Sequence, residues 1–177
     1  MSQIHVTARV ELDLVVEGKW VLTTEPDPQQ FLMYDNGLDT DSRIIIFVAS
    51  DALGHLSTAE TWFVDGNHAV AHIRFCQLYV LRCPLGNTVG LTLYVLPQRK
   101  SQETYDNLLH AIVDTCPELY QDPDPTTIIW NVHQVILNGE QHTYNFWEAW
   151  NHGIEHLCGV YHSSVWKLIH WLKADAA

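Results

Sequence analysis

Three β-rich runs joined by turn residues, with an amphipathic helix directly after them, constrain this chain more than any other feature. Residues 61–64, 75–82 and 89–96 are dominated by β-branched, aromatic and aliphatic side chains. Asp65-Gly66 follows the first run, and Cys83-Pro84-Leu85-Gly86-Asn87 separates the second from the third. Consecutive strands with such links predict an antiparallel meander. Pro97 ends the third strand, and Ser101 is placed to cap a helix with Glu103 in its first turn. Tyr105, Leu108, Leu109, Ile112 and Val113 then recur at i, i+3, i+4, i+7 and i+8, the stripe of a helix lying on a sheet. Pro117 stops it.

The flanks extend this pattern. Ile4, Val6, Ala8, Val10, Leu12 and Leu14 alternate, which predicts a half-buried strand broken at Gly18. Residues 20–24 read as a short second strand, and Glu25-Pro26-Asp27-Pro28 as a loop. Runs 31–34 and 43–48 bracket the turn signal Asp35-Asn36-Gly37. Beyond the central helix, Thr126-Thr127-Ile128-Ile129-Trp130 reads as a buried strand that a helical crossover would make parallel. A helix over 144–150, a short strand over 157–161 and a final helix on Val165, Leu168, Ile169 and Leu172, ending near Lys173, complete the expected order. The fold class is therefore α/β: a mixed sheet, part antiparallel meander and part parallel, flanked by helices. A β-rich lead-in over 1–57 and a main domain over 58–177 are expected to form one compact unit.

Composition narrows the function classes. The chain has 177 residues, 47% of them hydrophobic, enough for one globular core. No run of about 18 apolar residues suggests a membrane span. The first ten residues lack the basic start and apolar stretch of a secretory signal, so an intracellular protein is expected. Four cysteines without a C-x-x-C pair read as free thiols. The formal charge of -12, with only nine Lys and Arg, opposes strong independent binding to a DNA backbone. Arg99, Lys100 and Arg82 are the candidates for a local basic patch. Eleven histidines add positive charge only below about pH 6.5.

Several motifs resemble those of Mutator-like element (MULE) transposases. Trp62-Phe63-Val64-Asp65-Gly66 is similar to their W-F-x-D-G block, and Gln77-Leu78-Tyr79 to their Q-L-Y. Tyr94-Val95-Leu96-Pro97 with Glu103-Thr104-Tyr105 resembles their Y-x-L-L-P-x-K-x-x-E-T-Y. Phe31-Leu32-Met33-Tyr34-Asp35-Asn36-Gly37 and Arg43-Ile44-Ile45-Ile46-Phe47 look like the family's lead-in. The resemblance implies a ribonuclease H-like DDE domain, nuclear localisation and an ancestral function in DNA transposition by metal-dependent strand cleavage and joining. Two metals about 3.5–4 Å apart would stabilise the attacking and leaving oxygens of a phosphodiester, held by hard carboxylate ligands.

The family's catalytic residues carry over only in part. Asp65 stands at the first metal-binding Asp. Asn131, in Ile128-Ile129-Trp130-Asn131-Val132-His133, stands at the second, and His133 replaces a neighbouring Glu. An amide oxygen carries no charge to neutralise a metal pair. Cys158-Gly159-Val160-Tyr161-His162 is one residue longer than the family's C-x-x-H motif, which leaves Cys158 and His162 as weak metal candidates. No match to the third acid appears before Ala177. Asn67-His68 replaces the family's Thr-Phe, and Asn138-Gly139 falls where the family continues a helix. With one of three carboxylates left, a catalytically inactive remnant is expected, acting if at all through a protein partner or self-association. No cofactor is expected, with Mg2+ or Mn2+ needed only if activity persists. The alternatives are a metal-dependent nuclease that completes its site from another chain or with Glu148 or Glu155, and a non-catalytic nucleic-acid binder.

Other residues invite sharper readings. His152, His156, Cys158 and His162 carry zinc-compatible donors, the first two at i, i+4, but Gly153 weakens the helix that this geometry needs. Trp147, Trp150, Trp166 and Trp171 suit base stacking; in so acidic a chain, core packing or a partner surface is the expected role. The loop Asp122-Pro123-Asp124 lacks the spaced ligands of a calcium loop.

Overall fold

Every residue of β2, Ile44–Val48, is buried. A five-residue strand that is apolar on both faces must lie inside a sheet covered from two sides. Its neighbours are β1 (Leu32–Asp35) and β5 (Thr88–Pro97), and β5 pairs in turn with β4 (Leu78–Leu85), and β4 with β3 (Phe63–Asn67). All four pairings are antiparallel, in the order β1-β2-β5-β4-β3. The computed structural model describes residues 14–24, 26–48, 52–59, 62–85, 88–115, 141–158 and 164–177.

Helices cover both faces of the sheet. The side chains of β2 alternate: Ile44, Ile46 and Val48 face α1 (Ala52–Thr58) and α2 (Gln102–Thr115), joining Leu56, Leu93, Val95, Leu108 and Ile112. Ile45 and Phe47 point the other way, toward Phe31, Val80, Tyr94 and Leu96, with Ile154 of α3 (Gln141–Cys158) and the apolar stripe of α4 (Val165–Asp175). That stripe is Val165, Leu168, Ile169 and Leu172, spaced as one helical face. Each such side chain, fully buried, contributes roughly 1.5–3 kcal/mol. Ser164 starts α4 by accepting a hydrogen bond from the Lys167 amide at 3.3 Å. Ser101 does the same for Thr104 at 3.2 Å, as the sequence predicts.

The β1–β2 connection is organised by its own polar side chains. Gly37 sits at φ 91°, a conformation open to glycine. The Asp35 carboxylate accepts from the Gly37 amide at 3.0 Å and takes a two-pronged ion pair from Arg43, at 2.8 and 2.6 Å. Arg43 also donates to the Leu14 carbonyl, which ties the stretch before the first strand to the sheet edge.

The expected ribonuclease H-like architecture is corrected here. Among the described residues the sheet has no parallel strand. Strands β1 and β2, read from sequence as part of the β-rich lead-in, belong to the same sheet: β2 pairs directly onto β5, and β1 pairs onto β2. The continuous apolar run of β2 resembles a parallel strand because helices cover both of its faces, which is the same burial that parallel sheets impose. The run 126–130 expected to be parallel lies outside the described residues. So does the alternating stretch from Ile4 to Leu12, whereas Leu14 is buried in irregular backbone.

Local expectations change as well. Residues 18–21 form a 3-10 turn, and Leu22 makes only an isolated bridge to Gln30. β3 does not stop at Asp65-Gly66 but continues to Asn67, paired with Leu78. The strand expected over 157–161 is overturned where it is described: α3 runs through Gly153 to Cys158 and so takes in Leu157 and Cys158, while 159–161 lie outside the described residues. α1, Ala52–Thr58, falls where no element is expected from the sequence. No described helix is long and apolar enough to cross a membrane.

Candidate functional site

Asp65 lies on β3, opposite Val80 of β4. Strand geometry sends alternate side chains to one face, so Asp65 and Asn67 project together. Gly66 between them passes close to the side chains of Gln77 and Tyr79. A Cβ there would sit 2.9 Å from Gln77 Nε2 and 3.2 Å from Tyr79 Cε1. The D-G-N sequence therefore combines one residue whose Cβ would crowd the Gln77 and Tyr79 side chains with two polar groups aimed at α3.

α3 answers with Asn151 and Glu155, i and i+4 on one helical face. Asn67 sets the direction of every bond in this cluster. Its Oδ1 accepts from the Ala69 and Val70 amides, at 2.9 and 3.2 Å, so its Nδ2 is the atom left to face the helix. That Nδ2 donates to Asn151 Oδ1 at 2.9 Å and to Glu155 Oε1 at 3.2 Å. Asn151, with its oxygen engaged, presents its own Nδ2 to Asp65 Oδ2 at 2.6 Å. Two carboxylates are thus joined through two amides whose N–H groups point at them. An N–H donor and a metal cation compete for the same carboxylate lone pairs, and here amides hold the bonded oxygens.

The other expected site residues do not assemble around Asp65. Asn131, His133 and His162 lie outside the described residues, and the side chains of Glu148 and Cys158 are likewise not described. His152 and His156 are exposed, each about 100° around α3 from Asn151 and Glu155 respectively, so they point away from Asp65. Among the described residues no group of three or more His, Cys, Asp or Glu side chains is arranged to hold a metal ion. Asn67 and Asn151 were not expected as site residues. Their sequence signal is the i, i+4 pair Asn151 and Glu155 on the face that carries Ile154, which becomes informative only once β3 is known to lie opposite.

A second polar centre ties the helices to the sheet. Asp175, in the last turn of α4, accepts from Arg82 Nη2 at 2.7 Å, Tyr94 Oη at 2.6 Å and Trp150 Nε1 at 3.0 Å. The Arg82 guanidinium also stacks over Trp150, 5.2 Å from the ring centre. Arg82 is therefore buried in an ion pair and does not belong to a basic patch. Arg99 and Lys100 are exposed, and Lys100 Nζ donates to His68 Nε2 at 2.9 Å. With that ring nitrogen accepting, His68 Nδ1 carries the proton and donates to the Cys76 carbonyl at 2.9 Å.

Trp150, Trp166 and Trp171 pack against the core rather than forming an open stacking platform. Trp166 lies 5.0 Å from Trp20, whose ring also has Lys19 and Lys173 over it. Burial, with Lys19 beside it, lowers the Lys173 ammonium from its ordinary range. The Tyr79 and Tyr105 hydroxyls hydrogen-bond to each other on the opposite face, and burial together with that bond raises the Tyr79 phenol. Burial also raises the Cys83 thiol, which makes it a poor nucleophile.

No model of a known protein family, no curated protein and no solved structure matches this chain.

Proposed function

We propose that this chain is a domain derived from a MULE transposase that has lost strand cleavage and joining and acts through contact with another protein or a second copy of itself. The observation that carries the loss of chemistry is the Asp65–Asn151 hydrogen bond. The one carboxylate that matches the family's metal ligands is held by an amide donor at 2.6 Å, and the next acid in the network, Glu155, is reached only through Asn67. A two-metal site needs carboxylates that face one another across the ions. The ordered motifs around Trp62, Gln77, Tyr94 and Glu103 support the ancestry, and a nuclear setting goes with it. The charge of -12 and the burial of Arg82 favour a protein partner over DNA.

One observation favours a second reading. Glu155 shares the hydrogen-bond network of Asp65, so a nuclease could use both acids if the amides turned away. Titration of Mg2+ and Mn2+ into the purified chain, followed by thermal melting and cleavage of labelled DNA, separates the two. The inert reading expects no metal-dependent rise in melting temperature and no cleavage. Stabilisation and cleavage that both vanish in Asp65→Ala would establish the nuclease instead.

A further inference from the structure

The face that α3 turns toward the sheet consists of Trp150, Asn151, Ile154 and Glu155, at i, i+1, i+4 and i+5. Between residues 149 and 157 only Ile154 is buried; Trp150 and Asn151 are half-buried and the rest are exposed. Its neighbour α4 is held quite differently, with Val165, Leu168, Ile169, Leu172 and the stem of Lys173 all buried. The hydrophobic term scales with apolar area removed from water, so residues 149–157 are held by less apolar burial than α4 is.

Beyond Ile154 and the half-buried Trp150 ring, the hold on residues 149–157 is polar. Asn151 donates to Asp65, Asn67 donates to Asn151 and Glu155, and Trp150 donates to Asp175. Such bonds are exchanged for bonds to water when the helix leaves, so their net contribution is small beside their number. The sheet half of the contact is rigid by itself, because Asn67 Oδ1 is fixed by the Ala69 and Val70 amides of its own chain segment. Opening therefore requires nothing of β3 to rearrange.

We propose that the second half of α3, residues 149–157, is a latch that opens from the sheet separately from global unfolding, and that it covers the Asp65 carboxylate and the Asn67 amide. Closed, the latch occupies Asp65 Oδ2 with Asn151 and the Asn67 amide with Asn151 and Glu155. Open, it presents a carboxylate and an amide donor, two residues apart on β3, to solvent or to a ligand. This inference does not rest on transposase ancestry, and the metal titration above does not decide it.

Native-state hydrogen exchange on the full chain, read by peptide mass spectrometry at increasing low denaturant, tests it. The latch expects peptides within 149–157 to be at least about tenfold less protected than those of β4 and β5, with a shallower dependence on denaturant. Asn151→Ala should lower protection of that segment by about tenfold more, the ratio that corresponds to about 1.4 kcal/mol, while β4 and β5 change far less. Exchange of 149–157 that coincides with β4 and β5 at every denaturant concentration would overturn the proposal. So would an equal shift of all three segments in Asn151→Ala. The wild-type exchange curves decide the matter alone if the variant does not fold.

Discussion

Asp175→Ala sets two physical expectations against each other. Considered only as a residue in the last turn of α4, Asp175 is unfavourable: a negative charge there meets the negative end of the helix dipole, and removing it should stabilise by roughly 0.3–1 kcal/mol. The tertiary structure reverses the sign. The carboxylate accepts from Arg82, Tyr94 and Trp150, and its removal takes away the oxygen to which the Arg82 guanidinium, 8% exposed, donates at 2.7 Å. Breaking a buried ion pair from one side costs about 3–5 kcal/mol. Since the Asp175 side chain is 28% exposed, water can replace part of what it supplied, and the lower end, about 3 kcal/mol, is the expected cost. In a chain of this size each kcal/mol lowers the melting temperature by about 2–4 °C, so a drop of about 6–12 °C is expected. Thermal melting by circular dichroism at neutral pH measures it. Tyr94→Phe, which removes one of the three donors, should cost about 1.5–3 kcal/mol, and the two losses should not add, because they share one acceptor. A melting temperature that is unchanged or raised in Asp175→Ala would refute the clamp.

Other substitutions probe different parts of the fold. Gly66→Ala places a methyl group 2.9 Å from Gln77 Nε2 and 3.2 Å from Tyr79 Cε1, an overpacking expected to cost about 1–3 kcal/mol in denaturant unfolding. Gly153→Ala, where a Cβ meets nothing within 4 Å, should raise stability by roughly 0.8–1 kcal/mol by the same measurement. Arg43→Ala takes the ion-pair partner from the Asp35 carboxylate, which keeps the Gly37 amide, and frees the Leu14 carbonyl, and about 3 kcal/mol should be lost in equilibrium unfolding. The Tyr79 phenol, raised by burial and then by Tyr105, contributes stability that is complete below its ordinary value of 10.0 and is lost as pH rises beyond it. Melting temperatures measured from neutral pH into that alkaline range should fall more steeply for the wild type than for Tyr79→Phe.

Much of the fold was legible in the sequence because it rests on local rules. The second and third strands of the meander, the helix capped by Ser101 and the last amphipathic helix all follow from periodicity, turn residues and caps, which act over a few positions. The polar turn at Asp35-Asn36-Gly37 was legible for the same reason. Strand partnership was not. Which edge β2 joins depends on contacts between residues 44–48 and 93–97, and an apolar run looks alike whether two-sided burial comes from a parallel or an antiparallel arrangement. α3 was misjudged at both ends. Gly153 and the β-rich look of the residues after it argued for a break, whereas docking of Trp150, Asn151, Ile154 and Glu155 on one face overrides a propensity cost of about 1 kcal/mol.

The candidate site divides along the same line. Asp65 stands out in the sequence by its place after a β-rich run, next to a glycine. Its chemical state does not. Whether that carboxylate meets a cation, water or an amide depends on a helix more than eighty positions away, and Asn151 is the residue that answers it. Arg82 likewise reads as surface charge until Asp175 is brought to it. By itself the sequence determined the local elements and the residue types available, because those depend on neighbours along the chain. Tertiary structure alone decided strand order, the joining of Asp65 to Glu155 through two asparagines and the burial of Arg82, because each depends on distances between segments that no local rule specifies.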